Sequence, residues 1–361
     1  MDSDYRKQFE DVTVKPGEVL DAGDTAIDLG AVSHHAKNQS VSASMGVKTR
    51  WLLSRYALVL VWAMMASYFL IVRTDTFGRL AAVESIFGSQ STLVFLGVAA
   101  LMTLSVGEFD LSIASIAGLS ATTVPVLVSL HHWNVAWACV VALLMCLACG
   151  AINAFFVVKV GVASMVVTLG TGTFLVGIAE WISSSSQVAI NDPSFARVSL
   201  YSILDLPISF YYGLGLVLAL AYVRSWTPLG RHMLFVGANR DVARLAGIRV
   251  NRVRAGSYLV ASLVAGLGGI LLVSSTGGFD ASGSAGYLLP ALAAVFLGTA
   301  VVQPGQFNPI GMIIGVYFLE TGIFGLELLG YSGWVQDVFY GAGLVVAVAI
   351  ATIVRIRTSR G

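Results

Sequence analysis

A chain of 361 residues in which 57% are hydrophobic and only 11% charged holds more uncharged sequence than a water-soluble fold of this size can use. The formal net charge of +1 conceals a segregated pattern: eight of the 20 acids fall in the first 28 residues, and seven of the 21 basic residues fall between Arg224 and Arg254. With a mean hydropathy of +0.82, the composition excludes a soluble globular enzyme and leaves a polytopic membrane protein.

Residues 1–48 are polar and lack helical periodicity, so a disordered tail is expected there. Nothing before Trp51 has the apolar core of a cleavable signal, and the first membrane span is expected to serve as the insertion signal. Crossing ~30 Å of hydrocarbon takes about 20 apolar residues whose backbone groups bond within the segment. Ten stretches qualify: 53–72, 86–106, 112–130, 134–158, 162–182, 210–226, 255–275, 287–302, 309–329 and 334–354, within a transmembrane domain over 49–358. The eighth is short for a full crossing. With the N-terminus inside, Lys48, Arg50, Lys159, the loop 224–254, Arg355, Arg357 and Arg360 all face the cytoplasm, and the other face receives only Arg73, Arg79 and Arg197. Both termini are therefore expected in the cytoplasm.

Before the third span stands Gly-Glu-Phe-Asp-Leu-Ser at 107–112, where Asp110, assisted by Ser112, can cap the following helix. Cys139, Cys146 and Cys149 share the fourth span and read as small packing residues, without a disulfide framework or a histidine at metal-ligand spacing. Leu-Gly-Thr occurs at 169–171 in the fifth span and again at 297–299 in the eighth, and spans three crossings apart run in opposite directions. That suits an inverted repeat with the path at its interface. The loop 183–209 is polar and turn-rich, either a docking surface or a connector. Most of the 38 glycines are expected to serve close helix packing, as in Gly-Met-Ile-Ile-Gly at 311–315.

Glu320 sits near the middle of the ninth span, where a charged side chain such as Asp costs roughly 2.5–3.5 kcal/mol on insertion scales. It should face a wet cavity or a partner, or be neutral; Glu327 shares its face. Two readings stand: a group that hydrogen-bonds a polyhydroxylated solute, or a neutral acid packed between helices. Tyr317, Trp334 and Tyr340 can stack on a sugar ring or belong to an aromatic belt at the interface.

In the arginine-rich loop, Asn239 is a good N-cap, Asp241 lies in the first turn, and Gly247 can close the C-terminus, giving a helix of two turns. Val242 and Leu245 share one face, Arg240 and Arg244 another. So short a helix depends on packing against something. Either its arginines hold the loop at lipid headgroups, or the apolar face enters a partner's groove with the arginines as its rim. None of the five lysines follows a glycine, so the chain has no Gly-x-x-x-x-Gly-Lys-[Ser/Thr] phosphate loop, and any ATP is hydrolysed elsewhere.

Four ordered motifs carry a resemblance. Thr227, Gly230, Arg231, Gly237, Asn239, Ala243, Arg244, Gly247 and Ile248 match the long cytoplasmic loop of the membrane permeases of bacterial ABC importers for simple sugars, the ribose, xylose and galactose type. Residues 107–121 resemble that family's Gly-Gly-x-Asp-Leu-Ser segment, 167–171 its Thr-Leu-Gly-Thr, and Leu-Glu-Leu-Leu-Gly-Tyr-Ser-Gly-Trp onward its last span. The likeness runs from about 85 to 354. It implies an all-α polytopic membrane protein of about ten transmembrane helices with an inverted repeat, passing a monosaccharide or related polyol by alternating access.

By the same resemblance, residues 239–248 form the coupling helix that meets an ATPase, through Asn239, Arg240, Asp241, Val242, Ala243, Arg244, Leu245 and Gly247. Glu108, Asp110, Ser112, Thr168, Thr171 and Glu320 are expected to shape the substrate pathway. No metal or other cofactor is expected on this chain, since ATP and Mg belong to the ATPase. The implied partners are a second permease copy, identical or a paralogue, an ABC ATPase subunit, an extracytoplasmic solute-binding protein and membrane lipid, with no nucleic acid, in a bacterial inner membrane. The chain departs from the family at Glu108, which replaces the second glycine, at Leu288 and Pro290, which replace acids, at Gln-Pro-Gly-Gln-Phe-Asn, and at Phe324 in place of an asparagine. These departures leave the solute open.

Two other functions compete. A proton-driven secondary carrier would also use ten helices, a repeat and a buried acid such as Glu320. An intramembrane serine protease would use Gly-Tyr-Ser-Gly at 330–333, but His34, His35, His131, His132 and His232 all fall in the tail or at loop edges, and no His-Glu-x-x-His occurs.

Overall fold

The computed structural model describes residues 56–331 and 333–358, so the expected tail of residues 1–48 lies outside the described residues. Ten apolar helical segments follow one another, as the hydropathy pattern requires. The first is α1, Tyr56–Val72. After the short α2 (Thr74–Phe77), α3 (Leu80–Gly88) and α4 (Ser91–Leu104) together make the second segment, broken at Ser89 and Gln90. Next come α5 (Ile113–Pro125), α6 (Val135–Ala154) and α7 (Ser164–Ile182); α5 and α6 each run on into a π-helical stretch, Val126–Leu130 and Phe155–Val160. Among the described residues, eight segments are long and apolar enough to cross a membrane, with two shorter apolar helices, Tyr56–Val72 and Trp334–Ala349, at the ends. The protein is an all-α polytopic membrane protein.

The segment after α7, which the sequence presents only as polar and turn-rich, is built. Strand β1 (Val188–Ala189) leads to α8 (Pro193–Leu200), then β2 (Ser202–Ile203) pairs antiparallel with β3 (Leu206–Pro207). Asp192 caps α8 by accepting from the Ser194 and Phe195 amides, with Pro193 in the first turn. Downstream are α9 (Ile208–Trp226), α10 (Pro228–Ala238), α11 (Arg240–Leu245) and α12 (Val250–Thr276), then β4 (Gly278–Phe279), which pairs with β1. The Ser199 hydroxyl donates to Leu271 O at 3.2 Å and the Ser274 hydroxyl to Phe195 O at 2.8 Å, fixing α8 on the end of α12.

Helices α13 (Leu288–Gly298), α14 (Pro309–Leu328) and α15 (Trp334–Thr358) complete the chain. The eighth segment is Ala281–Gly298 and enters as a 3-10 helix over Ala281–Tyr287, six residues before the expected start. Its entry, Ala-Ser-Gly-Ser-Ala-Gly, carries too few large apolar side chains to announce itself. The segment ends at Gly298, where the turn to α14 is held by one side chain. Asn308 donates from Nδ2 to the carbonyls of Gly298 (3.1 Å) and Val301 (3.0 Å) and accepts the Gly311 amide at 2.5 Å. The repeated Leu-Gly-Thr therefore sits mid-helix in α7 but at the C-terminus of α13.

The centre of the fold is α12, against which α4, α5 and α6 pack. Every residue of α4 and of α5 is buried, as expected of helices that are apolar all round. Small residues allow the approach: a Cβ on Gly269 would run into the Ala117 carbonyl, and one on Gly315 into the Ala294 carbonyl. Gly311 meets Gly298 in the same way, so the 311–315 motif is indeed a packing surface. Polar side chains add cross-helix bonds, Ser120 to Gly266 O (2.9 Å) and Trp62 to the Thr321 hydroxyl (2.9 Å). Cys146 and Cys149 are buried in the same core. In contrast, only 22% of the α7 and α9 spans is buried, which leaves their apolar faces on the surface of the fold.

Candidate coupling surface and solute cavity

At the arginine-rich end, the loop after α9 folds back because its motif residues are the ones that permit it. Pro228 opens α10, and Thr227 caps it by accepting the Gly230 amide at 3.4 Å. Gly230 lies on the backbone of Arg224, and Gly237 lies on the Ser105 carbonyl at the end of α4; neither place has room for a Cβ. Asn239 then caps α11, accepting the amides of Asp241 (2.9 Å) and Val242 (3.1 Å). The helix closes with Gly247 at φ +78°, its amide bonding to Arg244 O and the Ile248 amide to Ala243 O, both at 3.0 Å. Residues 239–248 are thus a six-residue helix with its two caps, shorter than two full turns.

The faces of α11 divide unevenly. Ala243 is buried, whereas Val242 is 55% and Leu245 89% exposed. Arg244 pairs with Asp241 at 3.3 Å in the open. Arg240 corrects the expected sharing of one face with Arg244: it turns inward and donates from Nη2 to Glu108 Oε1 (2.7 Å) and to Gly107 O (3.0 Å). From α12, Arg254 reaches the same Glu108 oxygen at 2.6 Å and Val157 O at 3.4 Å. Glu108, its side chain 4% exposed, is therefore enclosed by two guanidinium groups from different elements. The three residues line a recess of about 660 Å³ at this end. Arg254 was not anticipated as a partner, although an acid embedded beside so many arginines demands one.

Behind Glu108 the segment 107–112 is stitched to its neighbours. Asp110 Oδ1 accepts both the Ser112 amide (2.9 Å) and hydroxyl (2.6 Å), and the Ser112 hydroxyl accepts from Asn153 of α6 at 2.8 Å. Thr168 of α7 accepts the Leu111 amide at 3.0 Å, and Ser164 accepts the Phe109 amide at 3.3 Å. Burial raises the pKa of the Asp110 carboxyl above its ordinary value, against the pull of its two bonds from Ser112. Asp110 does not act as the N-cap of α5; that position is Ser112, which makes no side-chain cap bond there. Asp110, Ser112 and Thr168 hold three helices and the segment together, while Thr171 lies half-buried further along α7.

The opposite end contains a polar cavity of about 810 Å³ between α3, α4, the end of α12, α14 and α15. Gln90, Thr92, Ser275, Tyr287, Glu320 and Tyr340 line it. Among the described residues its acids are Glu84, Asp205 and Glu320, and no lysine, arginine or histidine lines it. Of the six expected pathway residues only Glu320 lies here; Glu108, Asp110, Ser112, Thr168 and Thr171 do not. Gln90 and Thr92 escaped notice because they sit in a stretch that reads as the entrance of an apolar span, although Gly-Ser-Gln-Ser-Thr at 88–92 is a visible polar break. Among the aromatic candidates Tyr340 faces the cavity. Tyr317 is a core residue packed on Phe87 with ring centroids 4.6 Å apart, and Trp334 is exposed beside Tyr331. Glu327 lies outside the cavity and accepts from Gln336, which lines it, at 3.2 Å.

Both ends fall within one family match: residues 82–348 fit the model of the branched-chain amino acid transport system permease component. The chain belongs to this permease family. Similar proteins include the L-arabinose transport system permease AraH of Escherichia coli K12, 29% identical over 261 residues, covering 72% of this chain and 78% of that one. The autoinducer 2 import system permease LsrC of Photorhabdus luminescens is 28% identical over 262 residues, 73% of this chain and 79% of its own. LsrD of Salmonella typhimurium, from the same kind of system, is 28% identical over 303 residues, 80% and 90% of the two chains. No solved structure matches the chain. These relatives are transport permeases rather than enzymes, and the serine of the Gly-Tyr-Ser-Gly stretch lies outside the described residues.

Proposed function

We propose that this permease is the membrane-spanning subunit of an ATP-driven importer that passes a monosaccharide or related polyol into a bacterial cell by alternating access. The observation that carries the reading is the pairing of a polar cavity at one end with a capped helix, α11, presenting bare Val242 and Leu245 at the other. The transport systems named for the relatives, arabinose and autoinducer 2, support a small polyhydroxylated solute. The cavity suits it: amide, hydroxyl and carboxyl groups accept and donate to hydroxyls, Tyr340 offers a ring face, and carboxylates that have no basic partner among the described residues disfavour an anion.

In this reading α11 is the coupling helix of an ABC ATPase subunit that holds the ATP and Mg, and a second permease copy, identical or a paralogue, completes the channel. The cavity faces an extracytoplasmic solute-binding protein. The tail 1–48 and both termini lie in the cytoplasm, the transmembrane domain covers 49–358, and 224–254 is the coupling loop. Glu320 also allows a second reading, a proton-coupled carrier. Uptake of labelled monosaccharides by cells decides between them. It should vanish when the ATPase subunit is deleted and persist for many turnovers after a protonophore is added with ATP maintained; uptake without the ATPase that collapses with the proton gradient overturns the proposal.

A further inference from the structure

Among the described residues, the side-chain hydrogen bonds that leave α11 for an element distant in sequence both start at Arg240, and both end on the Gly107–Glu108 pair. Glu108 in turn is held by Arg254 in the second turn of α12, the helix at the centre of the fold. Two residues after Glu108, the chain of bonds from Asp110 through Ser112 to Asn153, with that from Leu111 to Thr168, ties the same segment to α6 and α7. A buried carboxylate shared by two guanidinium groups joins the elements that carry them: if Arg240 withdraws, Glu108 loses its 2.7 Å bond to α11 and stays paired with Arg254 of α12.

We propose that Glu108 is a positioning residue that clamps α11 to the 107–112 segment, so that a push on the coupling helix is delivered through Arg240 and Glu108 into α5, α6 and α7. The proposal rests on α11 being the surface that an ATPase moves. Gly107, at φ +76°, is the hinge of the segment, and the Arg240 bond to its carbonyl adds a backbone grip to the side-chain one. Arg254 serves as the fixed jaw and Arg240 as the moving one, because α12 is embedded whereas α11 is a six-residue helix on the surface. Movement of α5 and α7 then reaches the cavity through the 3-10 segment Ala281–Tyr287, which packs against both and lines the cavity with Tyr287, without any ligand touching Glu108.

The test uses the full-length permease with its ATPase subunit in liposomes. Nitroxide labels at Glu84→Cys and Asp205→Cys, on the rim of the cavity, are introduced with Cys139 replaced by serine. The probe is ATP–Mg with vanadate, and the readouts are the rim separation by pulsed electron resonance and ATP hydrolysis. In the wild-type complex, trapping shifts the rim separation. Glu108→Gln should keep ATPase association and basal hydrolysis within twofold while the rim shift falls at least threefold, and Glu108→Asp, which keeps a carboxylate between the two guanidinium groups, should restore it. A rim shift in Glu108→Gln equal to wild type overturns the clamp. So does a Glu108→Asp complex that assembles and shows no shift, or failure of both variants to assemble, which would make the cluster a fold-holding contact only. If the wild-type permease does not retain an ATPase, the functional reading above falls instead.

Discussion

Single side chains decide whether buried polar groups in this fold act as supports or as working groups. Asn308 is a support. It is buried, satisfies the Gly298 and Val301 carbonyls and caps α14, so Asn308→Ala removes an N-cap, typically ~1 kcal/mol, and strands two carbonyls in a low-dielectric turn, ~1–3 kcal/mol each. A loss of about 3 kcal/mol is expected, read as a lower melting temperature of the purified protein in detergent; an unchanged melt contradicts the role. Glu320 is the candidate working group, since it lines the cavity instead of sealing a helix contact. Glu320→Gln keeps shape and hydrogen bonding but removes the charge, so yield and melting should match wild type while uptake falls about tenfold, roughly 1.4 kcal/mol of lost interaction. Wild-type uptake would return Glu320 to the packing role. The sequence disclosed Glu320 because an acid in a long apolar run has few explanations. It did not disclose the partners of Glu108, because the two cations lie 132 and 146 residues away and only the fold brings them together.

At the scale of elements, what could be read was whatever depends on local chemistry. Asn239, Gly247 and the alternation between them located α11 to within a few residues, since caps are local hydrogen-bonding devices. The ten apolar stretches became ten apolar helical segments for the same reason. Hydropathy failed at segment ends: α12 starts at Val250 because a helix continues past the hydrocarbon at no cost, and the eighth segment begins in a small-residue 3-10 turn that has no apolar pattern. Which face of α11 is free was also hidden until Ala243 and Arg240 turned inward. The remaining pair, Val242 and Leu245, gives an element-scale prediction. Both are exposed, so Val242→Asp with Leu245→Asp should leave the melting temperature unchanged. Burying the pair in a partner's groove is worth about 3 kcal/mol or more, hence at least about a hundredfold in affinity, and co-purification of the ATPase subunit should be lost. Retained co-purification from a well-folded double variant would remove α11 from the interface.

For the whole molecule, the cavity and the arginine-rich loop lie at opposite ends of a bundle whose middle, α4 and α5, is buried throughout. The fold as described therefore has a cavity of about 810 Å³ at one end and a recess of about 660 Å³ at the other, with the buried α4 and α5 between them. Which end meets the cytoplasm is a question of charge rather than of packing, and here the imbalance is large: seven arginines from Arg224 to Arg254 on one side, against Arg73, Arg79 and Arg197 on the other. Insertion machinery and anionic lipid both retain such clusters inside, each basic residue near the surface being worth about 1 kcal/mol. Two residues exposed at the two ends report the outcome: Leu245 on α11 and Leu204 between β2 and β3, 89% and 86% exposed. With Cys139 replaced, Leu204→Cys in intact spheroplasts should react with a membrane-impermeant maleimide. Leu245→Cys should react only after the membrane is breached or inverted. The reverse pattern would turn the cavity toward the cytoplasm, convert the importer into an exit path, and leave α11 where no ATPase could reach it.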